Sequence, residues 1–315
     1  MRLAVDRYRI ITDKPLEHPL RVVLISDVHI SRNPLTGDFI NIGSLLKNLR
    51  TIKNIDLFAL CGDFVNSANT LKDLSIANRF ADFLRRLSRT APVVLVRGNH
   101  DLYNNDMDTE KIYQNFAKIP NVTLLDNAQM DFAGITITGF TPRHEAYDLI
   151  KHGKRSYAIT VEDYKREHFQ LNHDKFHLIL THSPYTFTNK RMQRELPEIY
   201  ESSDLVLSGH LHNGLFLSGN HGIIGRILDD TKLVDLGFWV DPKTGFTSRH
   251  CRGAKFVGEH HIGSTILPAS RGYTELRSSD YPRRLIQITG KGINKFSTLP
   301  FVVGRPSVAE IVITQ

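Results

Sequence analysis

The chain has 315 residues, of which 41% are hydrophobic, so it can bury a sizeable core and is too apolar to be disordered over most of its length. Its formal net charge of +7 favours a polyanionic partner or substrate over a cationic one. The presence of only two cysteines excludes a disulfide framework and favours a reducing compartment.

No stretch of the sequence approaches the ~18 consecutive apolar residues that span a bilayer, and the first twenty residues do not resemble a cleavable signal peptide. We therefore expect a cytoplasmic protein, with peripheral attachment to a membrane as an alternative. Residues 1–315 are expected to form a single domain with a long, basic, glycine-rich excursion at about residues 213–281.

The first hundred residues alternate apolar strand patterns with amphipathic helix patterns. Such alternation is typical of β-α units, whose parallel strands all place their carboxyl ends at one edge of a sheet. The pattern predicts an edge strand at Val5–Ile11, buried strands at Arg21–Ser26, Leu57–Cys61 and Pro92–Val96, and helices at Ile40–Ile52 and Leu71–Leu87.

Each of the three buried strands is followed by polar residues that could act as ligands or catalytic groups. Ligands of open α/β sheets bind at the carboxyl ends of the strands, so we expect these residues to converge although they are far apart in sequence. They are Asp27 and His29 after the first strand, Asp63 and Asn66 after the second, and Asn99, His100 and Asp101 after the third.

The second half of the chain predicts a second sheet with antiparallel pieces. Two apolar strands there also end in histidines, His182 after one and His210 and His212 after the other. Strands are predicted at Val122–Leu125, Met130–Ala133, Ile135–Gly139, Phe176–Leu180 and Asp204–Ser208, with Arg284–Thr289 and Val308–Thr314 closing the second sheet; helices are predicted at Asp108–Phe116 and, exposed, at Glu145–Lys154 and Thr160–Leu171.

A mixture of carboxylate, amide and imidazole groups suits a pair of borderline divalent ions such as Mn²⁺, Fe²⁺ or Zn²⁺. Two such ions need a bridging anionic ligand, and they can clamp a phosphoryl group while activating a water molecule. The simpler alternative is that these polar residues only cap strands and helices. The seven candidate ligands are Asp27, His29, Asp63, Asn99, His182, His210 and His212.

Five motifs, in this order, resemble those of the calcineurin-like metallophosphoesterase superfamily. They are Asp-x-His at 27–29, Gly-Asp at 62–63, Gly-Asn-His-Asp at 98–101, the lone His182, and Gly-His-x-His at 209–212. The resemblance covers about residues 21–212, and the final stretch is loosely similar to the bacterial YkuE-type members. It implies a four-layer α/β/β/α sandwich of two mixed sheets flanked by helices.

The resemblance also implies a role for each matching residue. A metal-bridging hydroxide would attack phosphorus, and His100 would stabilise the transition state or protonate the leaving oxygen. Many members carry an aspartate that pairs with the catalytic histidine where this chain has Asn66, so the sequence leaves open whether Asn66 or Asp101 orients His100. One metal would be held by Asp27, His29, Asp63 and His212, and the other by Asp63, Asn99, His182 and His210.

We therefore predict a phosphoesterase that hydrolyses a phosphodiester or pyrophosphate bond in a nucleotide or lipid-linked substrate. A DNA or RNA nuclease is the second choice. Nuclease members of the superfamily generally add a capping domain and a dimerising helical region, and neither is apparent in this sequence. A metal-free interaction scaffold is less favoured, because no ligand is missing. The sequence leaves the oligomeric state open. Arg32, Arg143, His144 and Arg226 are candidate phosphate contacts.

The excursion contains an aromatic segment, residues 238–240, among basic residues. This segment could dock on an anionic membrane surface while Arg249, Arg252 and Lys255 meet lipid headgroups. The alternative is that Trp239 packs against the second sheet.

Overall fold

Apolar side chains alternate along the central strands and divide the core into layers. In the strand Leu57–Cys61, Phe58 and Leu60 join one apolar cluster, whereas Leu57, Ala59 and Cys61 join another. Successive strand side chains point to opposite faces, so this sheet is covered on both sides. The computed structural model describes residues 4–30, 42–147, 154–188, 190–210, 255–256, 272–277, 284–290, 293 and 307–315.

Within the described residues, the first sheet has six strands. In spatial order they are β1 (Ala4–Ile11), β13 (Ser307–Thr314), β2 (Leu20–Ile25), β3 (Leu57–Cys61), β4 (Val93–Val96) and β5 (Val122–Leu124). Strands β2 to β5 are parallel to one another, while β13 is antiparallel to β2 and parallel to β1. The carboxyl ends of β2, β3 and β4 therefore lie at one edge.

The second sheet has seven strands in the part of the chain that the structure describes. In spatial order they are β10 (Lys255–Phe256), β11 (Gly272–Arg277), β12 (Arg284–Thr289), β9 (Leu205–Ser208), β8 (His177–Thr181), β7 (Ile135–Phe140) and β6 (Ala128–Phe132). Strands β12, β9, β8 and β7 are parallel, and the flanking strands are antiparallel to their neighbours. Both sheets are therefore mixed.

Three apolar layers hold the sheets and helices together, one between the sheets and one on each outer face. The first outer face packs against α1 (Ile42–Leu49), α2 (Leu74–Ser88) and α4 (Met107–Phe116); the second packs against α5 (Lys154–Glu167), α6 (Tyr185–Thr188), α7 (Lys190–Glu195) and α8 (Pro197–Ser202). The single turn α3 (Asn99–Leu102) follows β4, and 3₁₀ turns occupy Ala68–Lys72 and His144–Ala146. This is the predicted four-layer α/β/β/α sandwich.

Polar side chains set the starts of two helices on the first outer face. The Asp73 carboxylate accepts a hydrogen bond from the Ser75 main-chain N–H at 2.8 Å and begins α2. Asp106 accepts from the Thr109 N–H at 3.0 Å and begins α4. Each cap satisfies a donor that the first helical turn cannot pair internally.

Two strands lie in a different sheet from the predicted one. Val122–Leu124 pairs parallel with β4 in the first sheet, and β13 lies between β1 and β2 in the first sheet. Glu310 on β13 accepts from Arg7 on β1 at 2.9 Å and lies 3.4 Å from Arg21 on β2, so charge pairs help to hold β13 between these strands. Local periodicity predicts a strand but carries no information about its distant neighbour.

The helical segment after residue 153 is less exposed than predicted. Helix α5 runs from Lys154 to Glu167, and its Val161 and Tyr164 pack in the second outer layer.

The described residues contain no helix that is both long and apolar enough to cross a membrane. Most of the excursion at 213–281, including Trp239, lies outside the described residues.

A buried polar network joins the β1–β2 connection to the second sheet. Lys14 Nζ donates to Asp204 Oδ2 at 2.8 Å and to the Lys175 carbonyl at 2.8 Å. The His177 N–H donates to the same Asp204 oxygen at 2.8 Å, and the His177 ring contacts Thr138 Oγ1 at 2.7 Å. Burial, reinforced by the Lys14 charge, lowers the pKa of His177 to about 4, so this imidazole is neutral at pH 7.

We predict that His177 makes the protein less stable in mild acid. The unfolded chain takes up a proton at this histidine below about pH 6.5, whereas the folded protein does so only near pH 4, so stability falls across this window. The free energy of unfolding should drop by roughly 2 kcal/mol at pH 5 relative to neutral pH through this residue alone. Urea unfolding of the parent and of His177→Gln between pH 5 and 7.5 measures how the free energy of unfolding of each protein depends on pH. Parallel pH profiles of the two proteins would contradict the assignment.

Candidate active site

Four of the candidate ligands adopt a left-handed backbone conformation at the edge where the strands end. Asp27, His29, Asp63 and His210 have φ angles of 53°, 44°, 56° and 74°. Residues with side chains adopt this conformation at an energetic cost, and it concentrates at functional sites. Gly62 and Gly98 complete the two central turns, and a side chain at Gly98 would collide with the Asp63 carboxylate and the His182 ring.

The Asp63 carboxylate lies between two imidazole rings. Its Oδ2 atom is 3.6 Å from His29 Nε2 and 3.1 Å from His182 Nε2. The other oxygen, Oδ1, accepts the main-chain N–H of His100 at 2.9 Å. Oδ2 is therefore the atom of Asp63 that two neighbouring cations could share.

Each of these two imidazoles uses its Nδ1 atom in a hydrogen bond on the side away from Asp63. His182 Nδ1 donates to the Cys61 carbonyl at 2.8 Å, and His29 Nδ1 donates to Asn66 Oδ1 at 2.9 Å. Acceptors of this kind fix the ring and direct Nε2 towards Asp63, which is the usual arrangement for metal-binding histidines. Both rings are buried.

The His182 Nε2 atom faces three other atoms that carry electron pairs. It lies 3.1 Å from Asp63 Oδ2, 3.1 Å from Asn99 Oδ1 and 3.2 Å from His210 Nδ1. One proton on Nε2 can serve only one of these acceptors well, whereas a cation at their centre would interact with all four atoms. This convergence of carboxylate, amide and imidazole donors fits a divalent transition metal.

A second group of possible ligands lies on the other side of Asp63. Ligand atoms of His29, Asp63 and His100 are all within 4.8 Å of one another, as are those of Asp63, His182 and His210. Asp63 belongs to both groups. The buried carboxylate of Asp27 accepts the His210 main-chain N–H at 3.0 and 3.1 Å, which ties the ends of β2 and β9 together. The predicted ligand His212 lies outside the described residues.

The buried charges of the site depend strongly on one another. Burial raises the pKa of Asp27 to about 6. Burial would also raise the pKa of Asp63, but the neighbouring His182 and His29 hold it well below its usual value. Burial would lower the pKa of His182, yet Asp63 raises it to about 9. Without metal, a proton shared in this cluster therefore compensates the Asp63 charge, and metal binding must displace it.

Asn66 has a different role from the predicted one. Its side-chain oxygen binds His29, and only its main-chain carbonyl reaches His100, accepting from His100 Nδ1 at 2.8 Å. The His29 and His100 rings are in edge-to-face contact, with centroids 4.9 Å apart. The backbone, rather than an amide side chain, therefore orients His100, because the turn after Asp63 directs the Asn66 carbonyl towards it.

Asp101 is a positioning residue rather than a partner of His100. Its buried carboxylate accepts the main-chain N–H groups of Asp63 at 2.6 Å, Gly98 at 2.8 Å and Phe64 at 3.0 Å, together with the Tyr113 hydroxyl at 2.8 Å. One carboxylate thus joins the turns that follow β3 and β4. The sequence offers no signal that separates this role from catalysis, since Asp101 directly follows His100.

Two further groups at the site have no distinctive sequence signal. The Tyr147 ring lies 5.9 Å from His182 and 5.8 Å from His210, centroid to centroid. Arg97 pairs with Asp126 and with Glu110, the latter at 2.6 Å, and so holds the start of the Gly98 turn. Of the candidate phosphate contacts, Arg143 is paired with Asp163 at 2.8 Å, while Arg32 and Arg226 lie outside the described residues.

The sequence model of the Calcineurin-like phosphoesterase family matches residues 20–214, which is more than half of the chain. The chain belongs to this family. The matched region includes all seven predicted metal ligands and the strands β2 to β9 that carry them. No curated protein matches the chain.

Solved structures of phosphoesterases share low sequence identity with this chain. A dimetal phosphatase from Danio rerio is 14% identical, with a TM-score of 0.39 over 64% of this chain and 85% of its own. A nuclease from Pseudomonas putida is 16% identical, with a TM-score of 0.28 over 61% of each chain. A 5'-nucleotidase precursor from Thermus thermophilus is 15% identical, with a TM-score of 0.32 over 64% of this chain and 43% of its own.

We predict that Asn66→Ala weakens metal binding by this phosphoesterase. The substitution removes the acceptor that fixes His29, and loss of such a partner typically lowers metal affinity about 10–100-fold. Isothermal titration calorimetry with Mn²⁺ measures the change in metal affinity. Asn66→Asp is the matched control, because it keeps an acceptor for His29 Nδ1 and should bind Mn²⁺ more tightly than Asn66→Ala. Equal affinities in the parent and Asn66→Ala would contradict this role.

Proposed function

We propose that the protein is a dinuclear metal-dependent phosphoesterase that hydrolyses a phosphodiester or pyrophosphate bond. The observation that supports this most directly is the position of Asp63 Oδ2 between the Nε2 atoms of His29 and His182. Family membership supports phosphoester hydrolysis as the reaction class.

The residues of the cluster suit two divalent transition-metal ions such as Mn²⁺, Fe²⁺ or Zn²⁺. Asp27, His29 and Asp63 would hold one ion, with His212 as the remaining ligand expected from the sequence. Asp63, Asn99, His182 and His210 would hold the other. When bound, such ions withdraw electron density from a phosphoryl group and make water a stronger nucleophile at neutral pH.

His100 is proposed to donate a proton to the leaving oxygen. Its Nδ1 atom must carry a proton, because its partner, the Asn66 carbonyl, can only accept. Nε2 is then the ring atom that exchanges a proton with the substrate. The hydrogen bond from the His100 main chain to Asp63 fixes the distance between this imidazole and the proposed metal bridge.

The preference for a diester or pyrophosphate is proposed from the long glycine-rich segment at 213–281. This segment, most of which lies outside the described residues, is proposed to contact the substituent beyond the scissile phosphate. The net charge of +7 favours an anionic substrate over a cationic one, which suits phosphate esters of every kind.

We expect protein reconstituted with Mn²⁺ to contain two metal ions per chain and to hydrolyse bis(p-nitrophenyl) phosphate faster than p-nitrophenyl phosphate. Elemental analysis and a panel of monoesters, diesters, pyrophosphates and single-stranded DNA test this proposal. Asp63→Ala removes the shared ligand and should abolish binding of both ions. Only trace metal in the reconstituted parent would refute a dinuclear site, and hydrolysis of DNA alone would favour a nuclease.

His100→Asn should reduce turnover by roughly 10²–10⁴, the usual contribution of a general acid or base, without loss of metal. The asparagine keeps a polar group but cannot supply the proton. Because His100 also lies within ligand distance of His29 and Asp63, metal content distinguishes two roles. Loss of one ion in His100→Asn would identify His100 as a ligand, and full turnover would refute its catalytic role.

A further inference from the structure

Two aromatic rings, those of Tyr103 and His144, pack together directly after the turn that carries His100. Tyr103 follows His100 by one helical turn, since the Tyr103 N–H donates to the Asn99 carbonyl at 2.9 Å. Side chains three residues apart in a helical turn lie on the same side, with Cβ atoms about 5–6 Å apart. The Tyr103 side chain therefore lies next to the group that is proposed to protonate the leaving oxygen.

The ring of Tyr103 is both exposed and held in position. Half of its surface, 50%, is accessible to solvent. Its carbonyl accepts hydrogen bonds from the Ala68 N–H at 3.0 Å and from Ser67 Oγ at 3.1 Å. Its ring packs against the His144 ring, with centroids 5.6 Å apart and planes inclined by 33°. An isolated exposed tyrosine needs no explanation, but its backbone is rarely fixed at both ends in this way.

His144 reaches Tyr103 from the other half of the molecule. It begins the 3₁₀ turn His144–Ala146, which is anchored because the preceding Arg143 binds Asp163 of α5 through its N–H and its Nε, both at 2.8 Å. At the other end of this turn, the Tyr147 ring contacts His182 and His210. Residues 144–147 thus contact Tyr103 at one end and the proposed metal ligands at the other.

Two exposed apolar side chains also lie close together in the sequence after His100. Within the described part of the chain, the large exposed apolar side chains are Ile11, Leu74, Tyr103 and Met107. Two of these four lie within five residues of each other, directly after the His100 turn. Tyr103 and Met107 offer aromatic and thioether surfaces that suit a flat, apolar group better than a hydrated one.

We propose that Tyr103 and His144 form a subsite that binds a planar ring, such as a nucleobase or an aryl group, on the leaving-group side of the scissile phosphate. This inference rests on the proposed phosphoester hydrolysis. His100 is proposed to protonate the leaving oxygen. A ring carried on that oxygen would then contact the exposed part of the Tyr103 side chain. Stacking on an aromatic side chain tolerates different bases, because every base has a π face. The substrates are then diesters of a nucleoside or aryl alcohol, and Tyr103 determines this specificity.

The test compares three diesters: bis(p-nitrophenyl) phosphate with an aryl group, adenylyl-(3'→5')-adenosine with a nucleobase, and glycerophosphoglycerol with no ring. Each is assayed with the Mn²⁺ enzyme, the Tyr103→Leu and Tyr103→Phe variants, and the control Ile11→Ala. Ile11 is an exposed apolar residue at the far end of β1, which runs opposite to β2 and so ends at the sheet edge away from the site.

Tyr103→Leu should raise KM for the aryl and nucleoside diesters by about 10–100-fold relative to its effect on glycerophosphoglycerol, as expected when an aromatic stacking partner is lost. The kcat values should change much less than KM, and Tyr103→Phe should restore the preference because it restores the ring. Ile11→Ala should match the parent on every diester.

An equal loss on all three diesters would mean that Tyr103 only maintains the structure, and would overturn the subsite. A parent enzyme that hydrolyses all three without preferring the two ring-bearing diesters would also overturn it, while leaving phosphoester hydrolysis intact. If the parent hydrolyses none of the three diesters, the subsite is overturned, and if it also hydrolyses no pyrophosphate, the proposed function itself fails. Retention of the ring preference in Tyr103→Leu would refute the role of Tyr103.

Discussion

A single carboxylate oxygen organises the candidate active site. Asp63 Oδ2 faces the Nε2 atoms of His29 and His182, and each of these rings is fixed from behind by an acceptor on its Nδ1 atom. Because the rings cannot turn away, their electron pairs remain directed at a negatively charged oxygen. Such an arrangement is unfavourable without a cation or a proton, so the protein stores in its fold an affinity for positive charge at this point.

The backbone around this oxygen is held by a second carboxylate, that of Asp101, which faces main-chain N–H groups rather than His100. Asp101 binds the N–H groups of the turns after β3 and β4, and one of these turns contains the left-handed Asp63. Hydrogen bonds to a charged acceptor are roughly twice as strong as those between neutral groups. The hydrogen bonds to Asp101 offset the energetic cost of the left-handed backbone at Asp63. They also keep Asn99 and His100 in place relative to Asp63. The site is thus supported by one carboxylate that faces the proposed metals and another that lies behind it.

The resemblance to the family implied the four-layer sandwich, and the β-α pattern predicted that the strand-end residues converge, because parallel strands place their carboxyl ends together whatever the loops do. It could not assign Asn66, because a residue three positions beyond Asp63 can offer either its side chain or its carbonyl, and only the path of the turn decides which group meets His29 and which meets His100. It misplaced β5 and β13, because strand pairing depends on partners far away in the chain. The contribution of Tyr147 and Tyr103 depends on a turn from the opposite half of the fold.

The position of β13 has a consequence for how the protein is made. This strand fills the gap between β1 and β2, so that Ala4 pairs with Ser307 and Val23 with Glu310. On the ribosome, β2 is complete long before its neighbour exists. At translation rates of about 5–20 residues per second, the interval is roughly 15–60 s. During it, a strand that is apolar on both faces presents an open edge, which is a template for wrong pairing with other chains. Any partner that covers this edge of β2 during synthesis would protect the nascent chain until β13 takes its place.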